Sequence, residues 1–218
     1  EPVYGVSNLL EAMPEVLKIR PDAALILAGG GSLRGFLEGL ARKLGIAGSV
    51  RFIGYVPNGE LQGLLAESDY YVTASLSDGT SRSMMEAFAC GLPCIVTDVP
   101  AVAEWMKEGV HGSIVRRGDS ADLARGILRT LSADRPAMRE ACLRTALESF
   151  NENRNFAKLQ GMYEALLAGQ GPPALEKPET LPSLDLTSVG CEPFRHASWK
   201  ARAAEWLVII SLWRAARG

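Results

Sequence analysis

The chain has 218 residues, 47% hydrophobic and 22% charged, with 22 glycines and 12 prolines, a balance that excludes a disordered, collagen-like or disulfide-scaffold protein. Lys plus Arg total 23 against 25 for Asp plus Glu, a net charge of −2, so no basic surplus directs the chain to nucleic acid. The four cysteines, Cys90, Cys94, Cys142 and Cys191, show neither a C-x-x-C pair nor zinc-type spacing; they read as reduced thiols of a cytoplasmic protein with no metal centre.

Glu1-Pro2-Val3-Tyr4-Gly5 carries no signal-peptide pattern. Short apolar runs then alternate with amphipathic ones, the arrangement that a parallel sheet with crossover helices requires. In chain order the spacing predicts a helix over Ser7 to Ile19, a strand over Ala23 to Ala28, a helix over Leu33 to Leu44 and a strand over Val50 to Ile53. A helix over Glu60 to Glu67, a strand over Tyr70 to Ala74, a helix over Met84 to Cys90 and a strand over Pro93 to Thr97 follow. Val102 to Lys107 reads as a short helix and Gly112 to Val115 as a last strand, before helices near Ala121 to Leu131, Ala137 to Phe150 and Asn155 to Ala168. A helix pattern that starts with no strand before it also implies that the amino-terminal part of the domain is absent.

The expected architecture is therefore α/β: an open Rossmann-like parallel sheet over 1–168 with helices on both faces. Pro172, Pro173, Pro178, Pro182 and Pro193 make 169–197 a linker, because proline lacks the backbone donor that regular structure uses. In 198–218, Trp199, Trp206 and Trp213 recur at heptad spacing with Lys200, Arg202, Arg214 and Arg217 at the ends, which predicts an amphipathic C-terminal helix. Its apolar centre is too short to span a bilayer. It suits packing against another domain, or peripheral contact with the inner face of a membrane.

The chemistry concentrates after the third strand. Ser77 to Ser83 occupy the carboxyl edge of the sheet, where open α/β folds place ligands. Gly79 permits close backbone approach, Thr80, Ser81 and Ser83 supply hydroxyls, and a helix starting near Ser83 turns its first N–H groups and positive dipole end toward an anion such as phosphate. Glu86 lies one turn further, within reach of a polyol such as ribose, and Asp78 stands at the other end of the loop. Competing readings are structural: Ser83-x-x-Glu86 matches a capping box, Asp78-Gly79 is a common turn, Arg82 suits a solvated surface, and Met84, Met85 and Phe88 suit the core.

Asp78, Glu86, Gly91, Pro93 and Asp98 together resemble the donor-site motif of the GT-B glycosyltransferases of family 4, whose two acidic residues are separated by seven others and followed by Gly-x-Pro and a strand ending in Thr-Asp. The resemblance covers most of 1–168 and identifies it with the C-terminal, donor-binding half of such an enzyme. It implies that Glu86 holds the donor ribose and that Asp78, where the family usually has Glu, contacts the transferred sugar. Backbone N–H groups around Gly79, Thr80, Ser81, Arg82 and Ser83 would receive the diphosphate, and Gly54 and Tyr55 would wall the nucleotide base. The implied activity is retaining transfer of a sugar from a nucleotide diphosphate sugar to a sugar or lipid-linked acceptor, without a cofactor. Tyr4 stands where the family often has a lysine. The acceptor-binding domain lies outside this chain and would come from a longer polypeptide or a partner chain.

Three other readings remain: a noncatalytic nucleotide-sugar-binding subunit, a nucleotide-sugar epimerase and an NAD-dependent oxidoreductase. The last is disfavoured because Gly29-Gly30-Gly31-Ser32-Leu33-Arg34 has Arg34 where the dinucleotide fingerprint has its third glycine, and no acidic residue ends the next strand. Glu104 suits a surface charge or an acidic position common in the glycosyltransferase family, while His111 and His196 have no metal-spaced partners.

Overall fold

A computed structural model describes residues 2–79 and 81–169, together with the backbone of 207–211. Its elements are α1 (Val6–Ile19), β1 (Ala24–Ala28), α2 (Arg34–Lys43), β2 (Val50–Gly54), α3 (Asn58–Ala66), β3 (Tyr70–Thr73), α4 (Arg82–Ala89), β4 (Cys94–Thr97), β5 (Gly112–Val115), α5 (Ser120–Leu131), α6 (Arg135–Ser149), α7 (Glu152–Leu167) and β6 (Leu207–Ser211).

The strands form one sheet in the order β2-β1-β6-β3-β4-β5. Strand β1 pairs parallel with β2, and β4 pairs parallel with both β3 and β5. Side-chain alternation divides the core into two layers, because successive residues of a strand face opposite ways. Leu25, Leu27, Val72 and Ile95 pack with Leu9, Leu10 and Met13 of α1 and with Leu123 and Ile127 of α5. Tyr71, Cys94 and Val96 pack on the other face with Met84 and Phe88 of α4 and Cys142 of α6. The helices thus cover both faces of an α/β sheet.

Two expectations are corrected. Val102 to Lys107 is not a helix; a 3-10 turn spans Pro100–Glu104 instead. The Lys107 N–H donates to His111 Nδ1 at 3.0 Å rather than to a helical carbonyl, which ends the turn. Within the expected tail helix, Leu207–Ser211 is a strand, antiparallel to both β1 and β3. Four consecutive aliphatic residues satisfy a strand as well as they satisfy a helix, and the backbone of Leu207–Ser211 pairs with β1 on one side and β3 on the other. The rest of that helix and the linker beyond Gly169 lie outside the described residues.

Candidate functional site

The direction of strand progression reverses between β1 and β3, the position in a doubly wound sheet where ligands bind beyond the carboxyl ends of the strands. The segment entering α1 and the loop following β3 meet there. Leu76 N–H donates to the Val3 carbonyl at 2.7 Å. Gly5, at φ +60°, packs so closely that a Cβ would stand 2.0 Å from the Ala74 carbonyl oxygen. Only glycine combines that left-handed backbone with that approach. Thr97 Oγ1 donates to the Ser75 carbonyl at 2.5 Å, fastening the same loop to the end of β4.

The loop delivers the chain into α4 one residue pair earlier than the sequence suggests. Ser81 is the N-cap, its Oγ accepting from Met84 N–H at 3.4 Å, and the first helical hydrogen bond runs from Met85 N–H to the Ser81 carbonyl at 3.1 Å. The N–H groups of Arg82 and Ser83 therefore precede the ladder and point out of the helix end. Ser83 lies inside the first turn, and its hydroxyl is 2.8 Å from Tyr71 Oη and 3.3 Å from Ser81 Oγ. The capping box between Ser83 and Glu86 is thus replaced by a Ser81 cap.

With the cap at Ser81, the third helical position is Met84, and Glu86 lies two residues further on, partly exposed. Its side chain is 29% exposed and pairs with Arg82 at 3.4 Å across one helical turn. Met84, Ala87 and Phe88 take the buried face of α4, so the core reading of Met84 and Phe88 holds, while Met85 is partly buried. Asp78 is exposed in the loop. Partial desolvation raises its carboxyl pKa, opposed by hydrogen bonds from Gly79 N–H and the Ser81 side chain. A Cβ on Gly79 would meet nothing within 4 Å, so the chain's own packing does not require glycine there. Thr80 lies outside the described residues.

Gly54 ends β2 and its carbonyl accepts from Gly29 N–H at 2.6 Å, bringing the loop after β2 alongside the glycine loop after β1. Tyr55 is 64% exposed beside it. Arg34 is bound at 2.8 Å to Glu38 Oε1 and at 3.1 Å to the Phe52 carbonyl, a brace for this edge. Arg34, Arg82 and Arg117 are each paired with a carboxylate.

Other motif residues have structural work. Gly91, at φ +70°, makes the turn out of α4 against Arg139, and the Pro93 carbonyl accepts from Tyr71 N–H at 3.0 Å. Asp98 accepts from both the backbone and the side chain of Arg117, each at 3.1 Å, tying the end of β4 to the loop after β5. Tyr71 and Asp98–Arg117 were not signalled as site supports by the sequence, because strand periodicity gives a side chain's face but not its partner. His111 is a satisfied core residue, stacked on Phe88 with its Nε2 3.0 Å from Thr145 Oγ1. Cys90, Cys94 and Cys142 are buried and form no disulfide among the described residues. Cys191 and His196 lie outside the described residues.

A cavity of about 500 Å³ opens elsewhere, lined by Glu104, Trp105, Lys107, His111, Arg144 and Thr145 among others, and includes neither Asp78 nor Glu86. Among the described residues no group of three or more His, Cys, Asp or Glu side chains forms a metal site, and no helix is long and apolar enough to cross a membrane.

Residues 1–148 match the family described as glycosyl transferases group 1. An uncharacterized glycosyltransferase of Methanocaldococcus jannaschii is 34% identical over 128 residues, covering 59% of this chain and 33% of that protein. The chain spans about a third of the length of the curated relatives it matches. Anabaena HepE in complex with UDP superposes with a TM-score of 0.66 at 22% identity, over 77% of this chain and 46% of that one. The C-terminal domain of a group 1 glycosyl transferase from Francisella tularensis superposes with a TM-score of 0.63 at 22% identity, over 70% of this chain and 82% of the other.

Proposed function

Because this chain belongs to the group 1 glycosyl transferases, we propose that it binds a nucleotide diphosphate sugar in the crevice between the α1 entry and the first turn of α4. In this reading it is the donor half of a retaining transferase. Glu86 accepts hydrogen bonds from the ribose hydroxyls, and Asp78 accepts from the sugar. The N–H groups of Arg82 and Ser83 meet the diphosphate, aided by the positive end of α4.

The observation that supports this reading is the Ser81 cap, which starts α4 at Arg82 beside the loop after β3 and sets the partly exposed Glu86 one turn further along. As the bond from the anomeric carbon to the diphosphate oxygen breaks, negative charge grows on the departing diphosphate. Fixed N–H dipoles aimed at that position lower its energy without reorganising. An acceptor hydroxyl then attacks the face from which the diphosphate leaves, and its proton passes to the departing diphosphate oxygen on that face. Arg34, Arg82 and Arg117 each pair with a carboxylate, so further countercharge would come from the segment before α1, where the family resemblance places an arginine and, at the Tyr4 position, a lysine. UDP bound to HepE makes a UDP-sugar the first donor to test; a sugar or lipid-linked acceptor and a cytoplasmic or membrane-peripheral location belong to the same proposal.

The test is a thermal-shift panel of UDP-, GDP- and ADP-sugars against the parent chain and Glu86→Ala. One nucleotide class is expected to stabilise the parent, with affinity falling about 10- to 100-fold in the variant, the scale of a lost charge-assisted hydrogen bond. Equal shifts in both proteins would remove Glu86 from the site. The exposed Arg82 pair contributes at most about 1 kcal/mol, and circular dichroism of the variant checks that the shift difference is one of binding.

A further inference from the structure

The cavity of about 500 Å³ lies between α6 and the segment that joins the 3-10 turn to β5, and it shares no residue with the proposed donor crevice. Its volume is that of a small-molecule site. Ala137, Ala141 and Thr145, spaced four apart on α6, line one side and share a helix face. The two alanines present only methyl groups, which leaves the hollow. Trp105, Lys107 and His111 line the other side. Both rings there are backed by the core: Trp105 meets Phe150 edge-to-face with centroids 5.1 Å apart, and His111 stacks on Phe88 at 5.1 Å.

Two hydrogen-bond donors on these walls are left over. The Trp105 indole N–H is buried and has no acceptor among the described residues, although a buried tryptophan normally finds one. His111 Nδ1 accepts from the Lys107 N–H, so Nε2 carries the ring proton and donates it to Thr145 Oγ1 at 3.0 Å. The Thr145 hydroxyl thus acts there as an acceptor, with its own proton left to donate. Thr130 and Ser132 give theirs to the carbonyl four residues back, a bond that Thr145 does not make.

The charges around the cavity are nearly balanced. Glu104, Glu140 and Glu148 stand against Lys107 and Arg144, and Arg144 is already bound to Glu140 at 2.7 Å. Such a lining has no strong field to select a phosphate or an ammonium ligand. It offers instead an indole, two carboxylates in Glu104 and Glu148 that accept from hydroxyls, and donors from Trp105, Lys107 and Thr145. A sugar ring has the matching chemistry, since its C–H groups are apolar and each of its hydroxyls both donates and accepts.

We propose that this cavity binds a neutral saccharide, separately from the donor crevice. Sugar oxygens accept from the Trp105 indole N–H and the Thr145 hydroxyl, and sugar hydroxyls donate to Glu104 and Glu148.

The probes are maltose, cellobiose and N,N′-diacetylchitobiose, titrated into the full chain and read at the Trp105 indole N–H resonance, which Trp105→Phe assigns. At least one disaccharide is expected to move that resonance, with a dissociation constant of about 1 mM. Ala141→Leu puts a good helix former into the hollow, and Glu148→Ala removes an acceptor without adding bulk. Each is expected to weaken binding about tenfold with the circular dichroism of the parent. Glu86→Ala should bind the disaccharide as the parent does, whatever it does to sugar nucleotides. Absence of any shift with all three disaccharides at about fifty times that concentration overturns the proposal. So does parental affinity in either cavity variant, or tighter binding of inorganic phosphate or choline than of every disaccharide.

Discussion

The Tyr71 hydroxyl lies 2.8 Å from the Ser83 hydroxyl, joining a fully buried side chain in β3 to the first turn of α4. This bond fixes the helix end that the proposed diphosphate would face. Tyr71→Phe removes it while keeping the ring in the core. A loss of about 0.5–1.5 kcal/mol is expected by chemical denaturation, with donor affinity falling while the donor nucleotide preference stays the same. A change of nucleotide preference would show that Tyr71 does more than position α4.

Asp78 should show the opposite balance between stability and binding. Its carboxyl pKa is raised in the fold, chiefly by desolvation, so the ionised form at neutral pH is disfavoured relative to the unfolded chain. Lowering the pH through the native pKa relieves that cost. Asp78→Asn is therefore expected to match or exceed the parent's melting temperature at pH 7 while binding the sugar nucleotide more weakly. A variant that is less stable and binds normally would make Asp78 a structural turn residue.

His111 gives the fold a pH dependence of known sign. Burial, reinforced by Lys107, lowers its native pKa below 6.5. Its neutral ring is held by the Lys107 N–H at Nδ1, which makes Nε2 the donor to Thr145 Oγ1. The stabilisation is present above about pH 6.5, since that is the unfolded pKa. As the pH falls the unfolded chain takes up its proton first, so stability declines until the lower native pKa is passed. Denaturation midpoints measured between pH 7.5 and 5 should fall more steeply for the parent than for His111→Gln. Parallel curves would mean that His111 does not contribute.

Gly5→Ala tests the entry to α1. The new methyl would collide with the Ala74 carbonyl and force a left-handed backbone on alanine. Left-handed strain alone costs of order 1–3 kcal/mol, so melting several degrees lower is expected, with the Val3–Leu76 bond disturbed and donor binding weakened. Unchanged melting would show that this segment does not close the crevice.

Much of the scaffold was legible in the sequence. Gly112–Val115 and Val50–Gly54 appear as strands where short, mostly apolar runs lie between turn residues, and α5 and α6 begin behind Asp119 and Asp134, whose side chains cap them. Local rules suffice where a period and a cap agree. At α4 two serines offered caps. The Tyr71 hydroxyl engages Ser83 while Ser81 accepts the helix N–H, a choice made by the preceding strand rather than by the helix's own pattern.

Patterning of side chains along the chain thus determined the βα alternation, the buried faces and the cluster from Asp78 to Glu86. Tertiary structure alone decided which serine caps α4, that Asp98 is tied to Arg117, and that Leu207–Ser211 forms a strand. Periodicity records which way a residue faces, whereas pairing depends on groups brought close from distant segments. Leu-Val-Ile-Ile-Ser accommodates either helix or strand until two open sheet edges supply its hydrogen-bond partners.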